Sequence, residues 1–252
     1  MDVRLVTWTP SPELLAAAAA RLCYQDISAV DLMRDLSAQE IDHLLNVILS
    51  SGHLSVVEHI TFTFAIDGVS RVLTHQLVRH RVGVAFSQQS QRYASLAAAD
   101  CVVPRSIRTN NQLATDVETA MQAGMDLYRQ LVQAGVPPED ARYVLPQAVT
   151  TRLVMTVNLR ALIQIYRLDA CLRSQWEMRQ LVNAMKREVR RISPRLASEL
   201  RIKCFAQGYC DEAVMCHELN GRMPRRDALF RAYEQYNQSH YRELAVSIGE
   251  ET

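Results

Sequence analysis

The chain has 252 residues, 28 Lys+Arg against 27 Asp+Glu, and a formal net charge of +1. Hydrophobic residues are 48% and charged residues 22%, which suits a buried core and excludes a disordered tail, a collagen-like fibre or a coiled-coil rod. The balanced charge argues against a strongly basic nucleic-acid binder, and no apolar run approaches the ~18 residues that span a bilayer. In chain order, helical signals dominate. Ser11-Pro12-Glu13 opens a helix over Leu14 to Tyr24, with the hydroxyl as cap, proline in the first turn and an acid at the helix N-terminus. Ser37 and Glu40 form a capping box. Ile41, Leu44, Leu45, Ile48 and Leu49 then share one face, and Gly52 ends that helix. At Ile60, Phe62, Phe64 and Ile66 the period becomes two, a strand with one face in the core. Val69 to Arg81 returns to helical spacing, and residues 82–95, rich in Gln and Ser, read as loop. Asn111 to Ala134 is a long helix closed by Gly135, and Pro137-Pro138 opens a short one. Val149 to Val157 is a β-branched strand, Asn158 to Ile192 is mainly helix with one break, and Arg225 to Ala245 is a last polar helix.

The expected fold is therefore α+β: one helix-rich domain over residues 1–252 with a small, mostly antiparallel sheet and a C-terminal extension from about residue 204. The N-terminus lacks a signal-peptide apolar stretch, and the six cysteines read as thiols in a reducing compartment, so a cytoplasmic location is expected, with no membrane partner. Cys204, Cys210 and Cys216 are spaced by five residues rather than as a Cys-x2-Cys pair, so packing thiols are expected there and no metal site. The stripe Arg179, Lys186, Arg187, Arg190, Arg191 and Arg195 reads as a solvated helix face rather than a nucleic-acid surface.

The densest chemistry lies between Arg79 and Tyr93. Arg79-His80-Arg81 ends a helical segment, and Ser87, Gln88, Gln89, Ser90 and Gln91 lead to Arg92-Tyr93. Cations near a helix C-terminus are favourable with the macrodipole, but that does not account for the polar stretch after them. Guanidinium groups hold phosphates bidentately, and amide side chains read the donor and acceptor edges of a heterocycle. The combination points to an anionic heterocyclic ligand such as a nucleotide.

Arg79-His80-Arg81 with Ser90 and Arg92-Tyr93 resembles the signature of flavin-dependent thymidylate synthases. Further segments are similar in the same order: Ala20-Arg21-Leu22-Cys23-Tyr24, Gly52-His53-Leu54-Ser55 with Glu58-His59, Ala141-Arg142, Leu145-Pro146, Thr156-Val157-Asn158 with Arg160, and Gln175-Trp176-Glu177. The resemblance covers roughly residues 15–225 and implies methylation of dUMP to dTMP, with FAD as cofactor, NADPH as reductant and methylenetetrahydrofolate as carbon donor. It implies flavin contacts at His53, Ser55, Glu58, Arg79, His80, Arg81, Gln88, Asn158, Arg160 and Gln164. It implies nucleotide contacts at Gln76, Arg79, Gln88, Gln89, Ser90, Gln91, Arg92 and Arg142, with Arg92 and Arg142 on the phosphate. Ser90 is then a substrate-positioning hydroxyl rather than a nucleophile, since a nucleophilic Ser needs an adjacent base. The resemblance also implies a homotetramer with active sites shared between subunits, residues 82–93 completing a neighbour's site.

Two departures stand out. Eight residues separate Arg81 from Ser90, one more than is usual. Asp169 stands eleven positions after Asn158, where the family normally has an arginine that stabilises negative charge on the pyrimidine. A carboxylate there would repel a uracil enolate. In one account Asp169 pairs with Arg173 at i,i+4 while Arg167 or another cation supplies the charge. In the other the substrate is changed, for example to dCMP, whose 4-amino group a carboxylate accepts, or catalysis is lost and the protein only binds flavin or nucleotide. On the second account Asp169→Arg should raise turnover on dUMP.

Overall fold

An antiparallel sheet of four strands, in the order β1-β2-β4-β3, organises the fold. The strands are β1 (Asp2–Trp8), β2 (Thr61–Ser70), β3 (Val84–Gln88) and β4 (Thr150–Asn158). The computed structural model describes residues 1–94, 96, 99–216, 223–226, 228–232, 234 and 235. In the central pair, Phe62, Phe64 and Ile66 of β2 meet Val157, Met155 and Leu153 of β4 in register, and all six are buried. Each such side chain contributes roughly 1.5–3 kcal/mol on leaving water. On the opposite face the hydroxyls of Thr63 and Thr156 lie 2.9 Å apart.

Before β2 come α1 (Pro12–Leu22), α2 (Ala29–Asp35) and α3 (Ala38–Ser51). α4 (Arg71–Leu77) follows β2, and α5 (Arg105–Arg108), α6 (Asn111–Gln133) and α7 (Pro138–Ala141) lie between β3 and β4. After β4 come α8 (Leu159–Asp169), α9 (Trp176–Ile192), α10 (Pro194–Ser198) and α11 (Lys203–Gln207). α1, α3, α8 and α9 pack on the apolar face of the sheet, where Ala16, Leu45, Leu162 and Leu181 join the strand residues in one core. The capping box forms as the sequence predicts: Ser37 Oγ accepts from Glu40 N, and Glu40 accepts from Ser37 N. Gly52 closes α3 with φ 75°.

Several expectations are corrected. β1 carries no core pattern in the sequence, because only Val3 of this edge strand is buried. The helix expected over Val69 to Arg81 shrinks to α4: Val69 and Ser70 still belong to β2, carried past a bulge between Asp67 and Val69 by Gly68 at φ 67°. The loop expected over 82–95 contains β3, whose Val84, Phe86 and Gln88 alternate with Ala85 and Ser87; β4 supplies the pairing that Gln and Ser do not advertise. Ser11 takes φ 45° and makes no capping bond; Glu13, in the first turn of α1, instead accepts from Ser193 Oγ. The basic stripe, which runs along α9 into α10, is less solvated than expected, since Lys186 lies 4.9 Å from the Tyr166 ring centroid and Arg195 of α10 pairs with Asp42. The last expected helix, Arg225 to Ala245, lies largely outside the described residues.

All six cysteines are free. Cys171, Cys204, Cys210 and Cys216 line one cavity of about 50 Å³, and burial with the neighbouring Cys171 and Cys210 pushes the Cys204 thiol up. Among the described residues no three His, Cys, Asp or Glu side chains are grouped to hold a metal ion. No helix among them is long and apolar enough to cross a membrane.

Candidate active site

The site is built around α4. Where β2 ends, Glu177 of α9 accepts from Ser70 N at 2.8 Å and from Ser70 Oγ at 2.5 Å. Ser70 Oγ in turn accepts from Leu73 N at 3.0 Å and starts α4. Ser70 and Glu177 are both buried, so the helix position is set from the core. Past α4, the amides of Arg79 and His80 bond back to Gln76 O and Leu77 O, and the Arg-His-Arg turn runs into Gly83 at φ 70°. A Cβ on Gly83 would lie 2.6 Å from the Asn158 side-chain amide, so only glycine fits. Asn158 N donates to Gly83 O, and Asn158 Oδ1 accepts from Ala161 N at 2.8 Å to cap α8. One asparagine thus ties the turn to β4 and α8.

A cleft of about 660 Å³ opens on one side of this turn. Seven of the ten residues expected at a flavin line it: Glu58, Arg79, His80, Arg81, Asn158, Arg160 and Gln164. His53 and Ser55 lie exposed in the turn before Glu58 and do not line the cleft, and Gln88 points elsewhere. Glu58 pairs with Arg160. Asp169, 5% exposed, is fully engaged: Oδ2 bonds His80 Nε2 at 2.7 Å, and Oδ1 accepts from Gln76 Nε2 at 3.1 Å and Ser174 Oγ at 3.2 Å. The expected pairing with Arg173 does not form. α8 ends at Asp169, so i,i+4 geometry stops there, and Arg173 bonds Glu212 and Val214 O instead. Arg167 lines the cleft with a buried Nε that has no hydrogen-bond partner.

A second cleft of about 290 Å³ lies against another face of α4, lined by Arg71, Thr74, His75 and Val78 with Gln88, Gln91 and Arg142. Arg71 makes no ion pair or side-chain hydrogen bond among the described residues, and burial and the Arg142 charge push its guanidinium pKa down. Arg142 Nε donates to Glu139 O at 3.0 Å and meets no carboxylate. Gln88 Nε2 donates to Thr74 and Thr151 hydroxyls. Of the residues expected at a nucleotide, Gln88, Gln91 and Arg142 converge here. Arg79 faces the larger cleft, Gln76 is held on Asp169, and Gln89 lines a third cleft with Asp67 and Arg152. Arg92 pairs with Glu139 at 2.6 Å, so it meets Arg142 only across that residue. Ser90 Oγ accepts from Arg92 N at 3.0 Å, and no His or carboxylate bonds it among the described residues. Sequence reasoning missed Arg71, although Arg71, Thr74, His75 and Val78 fall at i, i+3, i+4 and i+7, one helix face.

A protein from Geobacter sulfurreducens named flavin-dependent thymidylate synthase is 44% identical over 217 residues, covering 85% of this chain and 93% of that protein. The family model described as thymidylate synthase complementing protein matches residues 4–195, which hold β2, β3, β4, most of β1 and both clefts. The chain belongs to the flavin-dependent thymidylate synthases. Proteins of the same name from Nitratidesulfovibrio vulgaris and Clostridium tetani are 40% and 38% identical, covering 90% and 85% of the chain and 97% and 92% of their own lengths. As a flavin-dependent thymidylate synthase the chain is a methyltransferase, and α11 with Cys204, like Cys210 and Cys216, lies beyond the family match.

The larger cleft fits the family's flavin by its donor set. A flavin dinucleotide offers a pyrophosphate and a ring edge of carbonyls and nitrogens. The cleft offers Arg79, Arg81 and Arg167 and the amides of Asn158 and Gln164. Its lining carboxylate, Glu58, is already neutralised by Arg160.

Proposed function

We propose that the chain converts dUMP to dTMP, binding FAD in the larger cleft, with NADPH as reductant and methylenetetrahydrofolate as carbon donor. The observation that carries the reading is the pair of cationic clefts on α4. One presents Arg71 and Arg142 without a carboxylate, the arrangement that a phosphate monoester dianion completes. The other presents the Arg-His-Arg turn with amides beside it. Bound flavin supplies the hydride and one-carbon carrier chemistry, which removes the need for a protein nucleophile.

The chain's own residues bind and orient. Arg71 and Arg142 hold the phosphate. Gln88, fixed by two threonine hydroxyls, and Gln91 position the sugar and base, and Ser90 acts as a positioning hydroxyl. Arg167, two residues before Asp169 and in the lining of the larger cleft, provides the cation that Asp169 lacks. Asp169 is 5% exposed and lines neither cleft, so a 4-amino group has no access to its oxygens and uracil is favoured over cytosine. Ser90 and Arg92 lie outside both clefts of their own chain, in keeping with a homotetramer in which residues 82–93 complete a neighbour's site. The test is dTMP formation from dUMP by purified protein supplied with FAD, NADPH and methylenetetrahydrofolate. Failure to take up flavin, or flavin uptake with no dTMP, overturns the reading.

A further inference from the structure

A further cleft, of about 1140 Å³, runs along α9 and shares no residue with either cleft at α4. The sequence reads the basic stripe of α9 as a solvated face, because one helix shows only its own charges. The fold adds Arg4 from β1 and Arg105 from α5, so that seven Arg and Lys side chains and two carboxylates line one concavity. Both carboxylates are already taken: Asp2 pairs with Arg4, and Glu188 accepts from Arg191 and from Leu5 N. Arg105, Arg187 and Arg190 are exposed and make no ion pair or side-chain hydrogen bond among the described residues. Lys186 lies over the Tyr166 ring, and burial with the like charges of Arg190 and Arg201 pushes its ammonium pKa down. Arg179 to Arg191 spans about 18 Å of helix, so the charge is drawn out in a row rather than gathered at a point. The half-buried Trp176 ring lines the same cleft. A chain-wide charge of +1 conceals this, since an average says nothing about place.

We propose that this cleft binds single-stranded nucleic acid, with the α9 row on consecutive phosphates and Trp176 against a base. A phosphate backbone supplies anions at intervals along a line, which a row of guanidinium groups without acidic partners matches. A lone phosphate or a mononucleotide would neutralise one end of the row and leave the other end crowded. Pockets for small molecules are mostly apolar and hold roughly 300–1,000 Å³, whereas this one is larger and lined mainly by charge. A duplex keeps its bases stacked inside, while a single strand can lay a base on an aromatic ring. The two clefts at α4 stay open, so strand binding does not compete with their ligands.

The experiment is fluorescence anisotropy of a labelled single-stranded DNA of about 12 nucleotides, titrated with the purified protein across a salt series. The parent should bind, with affinity falling steeply as salt rises. Arg187→Gln combined with Arg190→Gln should weaken binding at least about 10-fold and lower the salt slope by about 1–2. Both side chains are exposed, so the melting temperature and the oligomeric state by light scattering should be retained. Arg34→Gln combined with Arg129→Gln removes the same charge from α2 and α6, and should bind as the parent does. Saturating dUMP should leave the strand bound. No binding by the parent, parental binding by the α9 variant, or an equal loss in the α2–α6 variant overturns the proposal. Displacement also overturns it: by dUMP, which places the strand at the smaller cleft; by inorganic triphosphate, which makes the ligand a short oligophosphate; or by polyglutamate, which makes it an acidic peptide. A duplex bound as tightly as the strand overturns it, and so does a changed oligomeric state in the α9 variant, which marks the cleft as a contact between subunits.

Discussion

The two clefts on α4 hold their charges differently. In the smaller one Arg71 and Arg142 share a lining without an acidic partner among the described residues, and burial and the Arg142 charge push the Arg71 guanidinium pKa down. In the larger one the lining carboxylate Glu58 is fixed on Arg160, while Arg79 and Arg81 make no ion pair among the described residues. Unpaired cations await a strongly charged ligand that neutralises them on arrival, as a phosphate dianion does. A cleft whose one carboxylate is already neutralised and whose turn adds amides to its guanidinium groups suits a large ligand that needs many directed donors more than net charge. The smaller cleft is tuned for affinity toward an anion, and the larger one for geometry.

The sharpest way to break this contrast is to reverse the buried charge. Asp169→Arg puts a guanidinium beside His80 and strands three donors, at a cost of about 3–5 kcal/mol for a buried pair that loses its anion. Thermal melting should fall and flavin uptake should be lost. Higher dUMP turnover, the outcome that alignment by position alone suggests, would show that the buried network is dispensable. Next in size is Arg142→Ala or Arg71→Ala, each expected to cost on the order of 2–3 kcal/mol of dUMP affinity by calorimetry, with flavin binding unchanged. Equal weakening of flavin would merge the two clefts into one. Glu177→Gln leaves Ser70 with a poorer acceptor at the start of α4 and should cost about 1–3 kcal/mol of stability by denaturant unfolding, acting on both clefts alike. Smallest is Glu139→Gln: its pair with Arg92 is about half exposed, so stability should change by less than about 1 kcal/mol. A large stability loss there would mean that Arg92 is held for the fold rather than for a neighbour's site.

Local chemistry made part of this legible in the sequence. The Ser37–Glu40 box, Gly52 and the alternation through Phe62 and Phe64 are set by neighbours in the chain, and each is found where its pattern places it. The Arg-His-Arg turn was legible in the same way. β3 was not, because its five residues, Val84 to Gln88, lead straight into a polar Gln- and Ser-rich stretch and the strand is defined by its pairing with β4. Asp169 was misread for a related reason: counting i,i+4 assumes a helix that continues, and the chain leaves α8 at that residue. Arg71 carried no motif at all, and its meaning appears only once Arg142 is brought against it from a segment 71 residues later.

Gly83 carries a consequence for length as well as for shape. It sits in the eight-residue stretch between Arg81 and Ser90 and begins the turn into β3. Deleting it to shorten that stretch would remove the one residue that fits against Asn158, and would also slide β3 by a single position along β4. Because a strand's side chains alternate, such a slip exchanges its two faces. Phe86 would turn outward, Ser87 would turn toward the core, and Gln88 would leave the threonine hydroxyls of Thr74 and Thr151. The parity of that stretch, odd or even, decides which face of the sheet its glutamines serve.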